Sequence, residues 1–329
     1  MGIRRCRDPG QRSGQQSQNT EHENHPSLEH YRGLRQNCIL DARPTWEKTM
    51  NLHKPDCRLL IGTLILFLGI SVQISVPVNA HEYWIAPLDF TPELNGRALA
   101  DLRVGEDFKG DALAYIGVFT VGYQVTDSSG TRELKGRDGD RPALSFETLV
   151  PGLHIMSYQT TQNRVRFDEW ETFATYINNQ GIPETAERHR ERNLPPTGFS
   201  ELYSRYAKSL LAVGGESTGA DREIGMRTEL TALANPYSLP FGEPLPVQLF
   251  YEGAPLPDKQ ISIFTRSQKP GEEDFLETSK VRTDENGRAL IKVMPGRRYM
   301  LNSVHLTEVE GRGEVVYESF WASLTFEVP

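Results

Sequence analysis

The stretch Gln260-Ile261-Ser262-Ile263-Phe264-Thr265 alternates between polar and apolar side chains over most of its length, which is typical of a strand buried on one face. Downstream, Thr283-Asp284-Glu285-Asn286-Gly287-Arg288 contains an Asn-Gly pair suited to positive φ, so it predicts a hairpin turn. Pro295-Gly296 turns into a strand at Tyr299–Leu306, and Tyr317–Val328 is the last strand. These signals predict a β domain over residues 222–329.

Short β-rich runs separated by Gly and Pro also fill residues 81–165. Asp127-Ser128-Ser129-Gly130 marks one turn, and Pro151-Gly152 precedes a strand at Leu153–Gln159. Regular spacing of this kind is typical of a β-sandwich. We therefore expect a second β domain in this part of the chain.

The connection between the two β domains has a different pattern. Helical spacing is shown by four residues near its start, Trp170, Phe173, Ala174 and Ile177. Glu201–Leu211 is a second helix candidate, which Gly214-Gly215 would end. The predicted fold is thus mainly β, with two Ig-like or transthyretin-like β-sandwich domains (residues 81–165 and 222–329) joined by a helical connection (residues 166–221).

The N-terminal part resembles an export signal. Residues 1–49 are rich in Gln, Arg, Asn, His and Glu and have few large apolar groups, so we expect them to be disordered or a spurious extension, with Met50 a candidate translation start. Residues 50–80 combine upstream Lys and Arg, the apolar run Leu59–Val76 and small residues at Val78 and Ala80. Cleavage between Ala80 and His81 would give a periplasmic or secreted protein. Without cleavage, the chain would be membrane-anchored.

Charge and cysteine content narrow the functional classes. All three cysteines (Cys6, Cys38 and Cys57) precede the cleavage point, so the mature chain has neither a disulfide nor a thiolate ligand. The 249 residues from His81 onward carry 37 acidic and 26 basic side chains, a net charge of −11. Such a surface excludes nucleic acid as a partner and is compatible with cations.

The histidine that cleavage would expose is the leading functional candidate. A free α-amino group and the imidazole of His81 can chelate one metal ion together, because the amine of a chain terminus has a pKa near 8 and loses its proton to a metal at modest cost. Nitrogen and oxygen donors without thiolate suit Ni or Co, and also Cu or Zn. The alternative is that the cleavage site precedes a histidine by coincidence.

Three further residues are candidate ligands. His305 alternates with Val304 and Leu306, so it faces away from them and is either a ligand or an edge histidine. Glu318 is either solvated or orients a ligating imidazole. His154 is more typical of a structural histidine. His189, between two arginines, is expected to be a solvated helix residue.

The chain resembles the DUF4198 family over nearly all of residues 80–329. The stretches that carry the resemblance are Ala80–Pro87, Val104–Gly110, Tyr203–Leu210, Asn235-Pro236-Tyr237, Leu249–Leu256, Val304-His305-Leu306 and Glu318–Phe326. This family is associated with a periplasmic component of nickel or cobalt transport, so the resemblance implies metal handling outside the cytoplasm. The second domain is also similar to transthyretin-like and carboxypeptidase-regulatory-like modules, by fold analogy alone.

The expected function is periplasmic binding of a divalent transition metal in support of uptake, without catalysis, and with a membrane metal transporter as a possible partner. His81 and His305 would share the ion, with His154 or Glu318 as a third ligand. One alternative is a non-catalytic β-sandwich module that binds carbohydrate or a protein through Trp84, Trp170 and Trp321. A minor alternative, a copper histidine-brace oxidase, needs a second histidine close to His81.

Overall fold

The computed structural model describes residues 81–267 and 275–329. It is mainly β with several sheets, which confirms the predicted fold class. The N-terminal extension (residues 1–49) and the signal peptide (residues 50–80) lie outside the described residues, so cleavage after Ala80 stays a prediction. In the described ranges, no helix has both the length and the apolar character needed to cross a membrane.

Many strands and helices begin or end near Gly, Pro or Asn residues. The strands of the first half are β1 (Glu82–Pro87), β2 (Arg97–Glu106), β3 (Lys109–Leu113), β4 (Thr120–Asp127), β5 (Gly130–Glu133), β6 (Leu144–Glu147), β7 (Gly152–Thr160) and β8 (Asn163–Phe167). Two helices follow, α1 (Trp170–Asn179) and α2 (Thr185–Glu191). The remaining strands are β9 (Phe199–Val213), β10 (Thr228–Ala232), β11 (Leu245–Tyr251), β12 (Ala254–Pro255), β13 (Gln260–Ser267), β14 (Leu276–Arg282), β15 (Arg288–Ile291), β16 (Arg297–Arg312) and β17 (Val315–Val328).

One large sheet, here called the main sheet, runs through both halves of the chain. Its strand order is β14-β13-β16-β17-β9-β7-β4-β5, and β8 also pairs with β9. The pairs are antiparallel except β17 with β9, which run parallel. This parallel pair joins the C-terminal strands to those of the first half, so both predicted sandwiches share a single sheet.

The front face of the main sheet carries the C-terminal core. Alternate residues of a strand point to opposite faces, and Leu324 and Phe326 of β17 mark the front face. They pack with Leu230 of β10 and Val247 of β11, which belong to a small sheet formed by β10, β11, β12 and β15. This confirms the sandwich predicted from the Gln260–Thr265 pattern.

The back face carries the N-terminal core and the helices. A second small sheet, made of β1, β2, β3 and β6, packs Tyr83 and Ile85 of β1 on Met156 of β7 and Ala207 of β9. The predicted first helix is confirmed as α1. Its Phe173 and Ile177 pack on the end of the same face in an aromatic cluster with Tyr317 and Trp321, among others.

The predicted second helix over Glu201–Leu211 is wrong, because this segment belongs to β9, a central strand of the main sheet. The helical connection therefore ends at Glu191. A strand buried on both faces has apolar residues at odd and even positions, so Leu202, Tyr203, Tyr206 and Leu210 also fit a helical period. The pairing with β17 and β7, which fixes the strand, comes from residues far away in the sequence.

The prediction that His189 is a solvated helix residue is also wrong. It is buried in α2, with Nδ1 3.0 Å from Tyr317 Oη and Nε2 2.9 Å from the carbonyl oxygen of Pro195. The helix exposes Arg188 and Arg190 while it turns His189 onto the aromatic cluster, where the ring of Phe199 lies 4.6 Å away. Two charged neighbours in sequence do not expose a helical residue, since they occupy other sides of the helix.

Candidate functional site

A tight hairpin between β2 and β3 positions two carboxylates. Its central residues, Asp107 and Phe108, have φ of 53° and 57°, the left-handed conformations of a type I′ turn. Gly105 and Gly110 face each other across this hairpin, and a Cβ on Gly105 would lie 2.0 Å from the carbonyl oxygen of Lys109. The glycines therefore permit a close approach that holds Glu106 and Asp107 in place.

The register of β1 against β2 brings the start of the described chain to this hairpin. Glu82 pairs with Gly105, so His81 comes opposite Glu106. The imidazole Nδ1 of His81 lies 3.5 Å from Glu106 Oε1, without the alignment of a hydrogen bond. Both side chains remain open to solvent, with exposed fractions of 44% and 52%. An imidazole and a carboxylate are thus adjacent and partly exposed, while the Nδ1 atom of His81 is itself buried without a hydrogen-bond partner among the described residues.

Arg205 anchors the backbone at this point. Its guanidinium donates to the carbonyl oxygen of His81 at 3.2 Å and lies over the rings of Tyr83 and Tyr203, at 5.3 and 4.7 Å from their centroids. Burial lowers the pKa of Arg205, and the two tyrosines oppose that shift. The anchor fixes the position of His81 while its side chain stays free.

Glu82 is the most perturbed carboxyl group of this region. Burial, and then the negative charges of Asp107 and Glu106, raise its pKa to about 7, although backbone N–H groups of Glu82 and Asp107 oppose the shift. Its Oε2 is buried and has no hydrogen-bond partner among the described residues. The three acidic side chains here form no ion pair with Lys or Arg within the described ranges, and Arg205, whose charge interacts with Glu82, is a nearby cation. An added cation would further relieve the repulsion among the carboxylates.

These carboxylates open into a cavity of about 380 Å³ on the back face. One wall is a face of α1, and the opposite wall is formed by β13 and β14. The lining residues are Glu82, Glu106, Asp107, Thr172, Thr175, Tyr176, Asn179, Gln180, Ser262, Phe264, Thr278 and Lys280. The cavity is therefore acidic at one end and lined by hydroxyl, amide and ammonium groups elsewhere.

His305 lies on the other side of the main sheet. It pairs with Phe320 on the front face, and its ring centroid is 4.4 Å from that of Tyr251. By contrast, β1 crosses the back face, where Thr325 donates to the carbonyl oxygen of Ile85 at 2.7 Å. The sheet thus separates the two imidazoles, which corrects the expectation that His81 and His305 share one cation.

Glu318 lies near His305 on the front face, and the positively charged side chain of Arg227 lies beside both. Arg227 Nη1 is 3.6 Å from Glu318 Oε1, and its guanidinium carbon lies 4.2 Å from the centroid of the Phe320 ring. Burial, together with the positive charges of Lys259 and Arg227, lowers the pKa of His305 to about 4. Glu318 also accepts a hydrogen bond from Gln162 at 2.7 Å. Arg227 and Gln162 thus already occupy Glu318 Oε1, and the positive charges beside His305 disfavour a further cation.

His154 lies on the back face but far from His81. It pairs with Leu211 of β9, six residues beyond Arg205, or about 20 Å along the strand. Its Nδ1 is 3.1 Å from the carbonyl oxygen of Gly152, and its Nε2 is 3.4 Å from Asp127 Oδ2. The side chain is fully buried against Phe146, and burial lowers its pKa. These contacts favour a structural role.

None of the other three predicted site residues, His305, His154 and Glu318, lies beside His81. In the described part of the chain, no group of three or more His, Asp or Glu residues is arranged to hold a metal by side chains alone. The partner that the sequence analysis missed is Glu106, with Glu82 and Asp107 nearby. The stretches Ala80–Pro87 and Val104–Gly110 both carry the family resemblance, but only the strand register brings them together.

The tryptophans do not form an open binding surface. Trp84 and Trp321 have exposed fractions of only 1% and 4%, and Trp170 is partly buried in the aromatic cluster around α1. Two of the three proposed stacking residues are therefore core residues. This location offers no support for the carbohydrate-binding alternative through tryptophan stacking.

Comparison with solved structures gives only weak likenesses. A tetra-tandem repeat from the extending region of a large adhesion protein is 10% identical over 76% of this chain and 50% of that one, with a TM-score of 0.20. The D0-D1 domain of intimin is 11% identical over 75% of this chain and 97% of that one, with a TM-score of 0.17. This chain thus spans about half the length of the adhesion-protein structure. No curated protein sequence matches the chain.

The family model described as "Domain of unknown function (DUF4198)" matches residues 78–307. The match includes the cavity residues of β1, the β2–β3 hairpin and α1. It covers well over half of the chain and agrees with the resemblance seen in the sequence. The chain belongs to the DUF4198 family.

Proposed function

We propose that the mature chain, beginning at His81, binds a divalent transition-metal ion outside the cytoplasm. The observation that carries the proposal is the approach of His81 Nδ1 to Glu106 Oε1, 3.5 Å apart at the start of β1. Cleavage after Ala80 would add the α-amino group of His81. The amine and Nδ1 of one histidine close a chelate ring, and Glu106 supplies an oxygen donor next to it.

The donor set favours a transition metal over calcium or magnesium. Nitrogen donors from imidazole and amine are typical ligands of Ni, Co, Cu and Zn, whereas Ca and Mg prefer oxygen donors alone. Two nitrogens and one carboxylate also leave coordination positions open. Nickel or cobalt as the cargo, and a membrane metal transporter as the partner, extend this proposal from the family resemblance.

The charges around the site favour a bound cation. Glu82 and Asp107 lie beside Glu106 without a Lys or Arg ion pair in the described ranges. Burial, and to a smaller degree the negative charges of Asp107 and Glu106, raise the pKa of Glu82. A divalent ion at Glu106 would lower that pKa again, since an opposite charge favours the carboxylate form. Metal affinity should therefore rise as the pH increases through about 7.

A copper histidine-brace oxidase is less well supported. It needs a second imidazole beside His81, but His305 is on the front face and His154 is at the far end of the back face. Both ring nitrogens of His189 already have partners. Among the described histidines, His81 is thus left with a carboxylate neighbour instead of a second imidazole.

The test is calorimetric titration of Ni(II), Co(II) and Cu(II) into protein that begins at His81. One extra N-terminal Ala should weaken binding by at least about tenfold, because it converts the terminal amine into an amide. Glu106→Gln should weaken binding by about tenfold as well. Glu285→Gln, at an exposed turn between β14 and β15, is the matched control and should bind like the parent. Equal affinities for the parent and the Ala-extended protein would remove the terminal chelate.

A further inference from the structure

The cavity beside Glu106 is much larger than a bare metal ion requires. Its volume is about 380 Å³, whereas one water molecule occupies about 30 Å³ in the liquid. An ion bound between His81 and Glu106 would leave most of that space unused. We propose that the cavity binds a small hydroxycarboxylate chelator, so that the cargo is a metal chelate and not the bare ion. This inference rests on the proposed metal-binding function.

One wall of the cavity supplies donors through the polar face of α1. Thr172, Thr175 and Asn179 follow each other at helical spacing, while Phe173 and Ile177 pack into the aromatic cluster. Gln180 follows the helix and also lines the cavity. Within the described residues, no hydrogen bond engages the side chains of Thr172, Thr175 or Gln180. Their O–H and N–H groups are available to ligand oxygens.

The opposite wall adds a positive charge and unsatisfied polar groups. Lys280 Nζ donates to the carbonyl oxygen of Asn179 at 3.1 Å, which leaves two of its three N–H bonds for a ligand. Asn302 pairs with the lining residue Ser262 on the back face, but it does not itself line the cavity and is only 1% exposed. Both polar atoms of the Asn302 side chain lack a partner within the described ranges. Such a buried amide is costly unless a ligand or water reaches it.

The distribution of charge selects the chemistry of the ligand. Glu82, Glu106 and Asp107 repel a free carboxylate from one end, whereas Lys280 and the hydroxyl groups favour ligand oxygens farther in. A metal ion at Glu106 would offset the negative charge at the acidic end. A carboxylate bound to that ion could then lie at this end, while other oxygens of the same chelator contact Lys280 and the hydroxyl groups. The open positions on the metal would then face the cavity and take oxygens of the chelator.

Equilibrium dialysis with radiolabelled citrate tests this inference on protein that begins at His81. Citrate should be retained with Ni(II) and not without it, and citrate should raise Ni(II) retention by at least about tenfold. The variant Thr172→Val/Thr175→Val, which keeps side-chain shape, should lose citrate retention while its affinity for Ni(II) alone changes by less than about twofold. Asn178→Ala, on the same helix outside the cavity lining, should behave like the parent.

Three outcomes would contradict the proposal that the cavity binds a metal chelate. Citrate that merely strips Ni(II) from the protein, with no label retained, refutes the chelate and leaves metal binding by His81 and Glu106 intact. Citrate retained equally without metal also refutes it. Absence of Ni(II) binding with or without citrate refutes the proposed function itself. The parent protein alone decides between these outcomes, so they do not depend on how the valine variant folds.

Discussion

Two clusters of acidic residues on opposite faces of the main sheet differ in how their charge is balanced. On the front face, Lys208 is fully buried between Asp221 and Glu229, with Nζ–O distances of 2.8 and 2.9 Å. On the back face, Glu82 and Glu106 have no such lysine within the described ranges. The first cluster is closed to solvent, and the second opens into a cavity.

The closed cluster also has its hydrogen bonds satisfied. Backbone N–H groups of Ala232 and Ile224 donate to Asp221 and Glu229, at 2.8 and 2.9 Å, and Lys208 also donates to the carbonyl oxygen of Arg222 at 3.1 Å. At the acidic end of the cavity, Glu82 Oε2 has no partner in the described part of the chain. The carboxylates of the closed cluster are paired with a cation, and those at the cavity are not. We interpret the unpaired carboxylates at the cavity as ligand-binding groups.

The largest expected effect comes from breaking the closed cluster. Lys208→Met should destabilise the protein by about 3–5 kcal/mol, because Asp221 and Glu229 would remain buried without a counter-ion. Urea denaturation of the protein that begins at His81 measures this, with Lys135→Met at an exposed position as the control. A loss below about 1 kcal/mol would show that the two clusters are not as different as their contacts indicate.

Removing a negative charge from the open cluster should stabilise the protein, in contrast to the destabilisation expected for Lys208→Met. Because the pKa of Glu82 is raised from 4.5 to about 7, the unfolded chain loses this proton at lower pH than the folded protein does. The stability of the parent should therefore fall as the pH rises from 4.5 to 7, by an amount on the order of 1–3 kcal/mol. Glu82→Gln should remove the part of that loss that Glu82 causes, whereas Glu201, whose pKa burial also raises to about 7, contributes equally in both proteins.

Denaturation of the parent and of Glu82→Gln at acidic and alkaline pH checks this prediction. The two proteins should be equally stable near pH 4, and the variant should be more stable near pH 8. If Glu82→Gln is destabilising at alkaline pH, the carboxylate has a stabilising partner, and the contrast between the clusters disappears. Glu133→Gln, at an exposed position, controls for the removal of an acidic side chain.

The smallest effect is expected at His305. His305→Phe should change Ni(II) affinity by less than about twofold, because the residue lies across the main sheet from His81 and beside Arg227 and Lys259. A phenyl ring keeps the contact with Tyr251. Titration of Ni(II) measures this, and a tenfold loss would place a metal ligand on the front face after all.

Most of the fold followed from local patterns in the sequence. Alternation in Gln260–Thr265 and the helical spacing from Trp170 to Ile177 each match an observed element. The turn at Asn286-Gly287 is also present, but the predicted hairpin is wrong, because β14 pairs with β13 and β15 pairs with β11 in another sheet. The failure at Glu201–Leu211 has a physical cause, because a strand covered on both faces loses the period of two. Nothing local in that segment reports its pairing with β17, more than a hundred residues away.

The site was predicted in part. His81 was identified from the cleavage signal, but its neighbour Glu106 depends on the β1–β2 register and on a hairpin that needs Gly105 and Gly110. His305 was chosen because it alternates with apolar residues, which gives the face of a strand but not what lies on that face. The face of the main sheet on which β1 packs is set by tertiary contacts. The sequence therefore could not show that His81 and His305 lie on opposite faces.

Anomalous diffraction at the nickel absorption edge, from crystals of protein that begins at His81, tests the central claim most directly. We expect a nickel peak within about 2.0–2.2 Å of His81 Nδ1, the terminal amine and a Glu106 oxygen, on the back face of the main sheet. A peak beside His305 or Glu318, or nickel-bound crystals without a peak at His81, would contradict it.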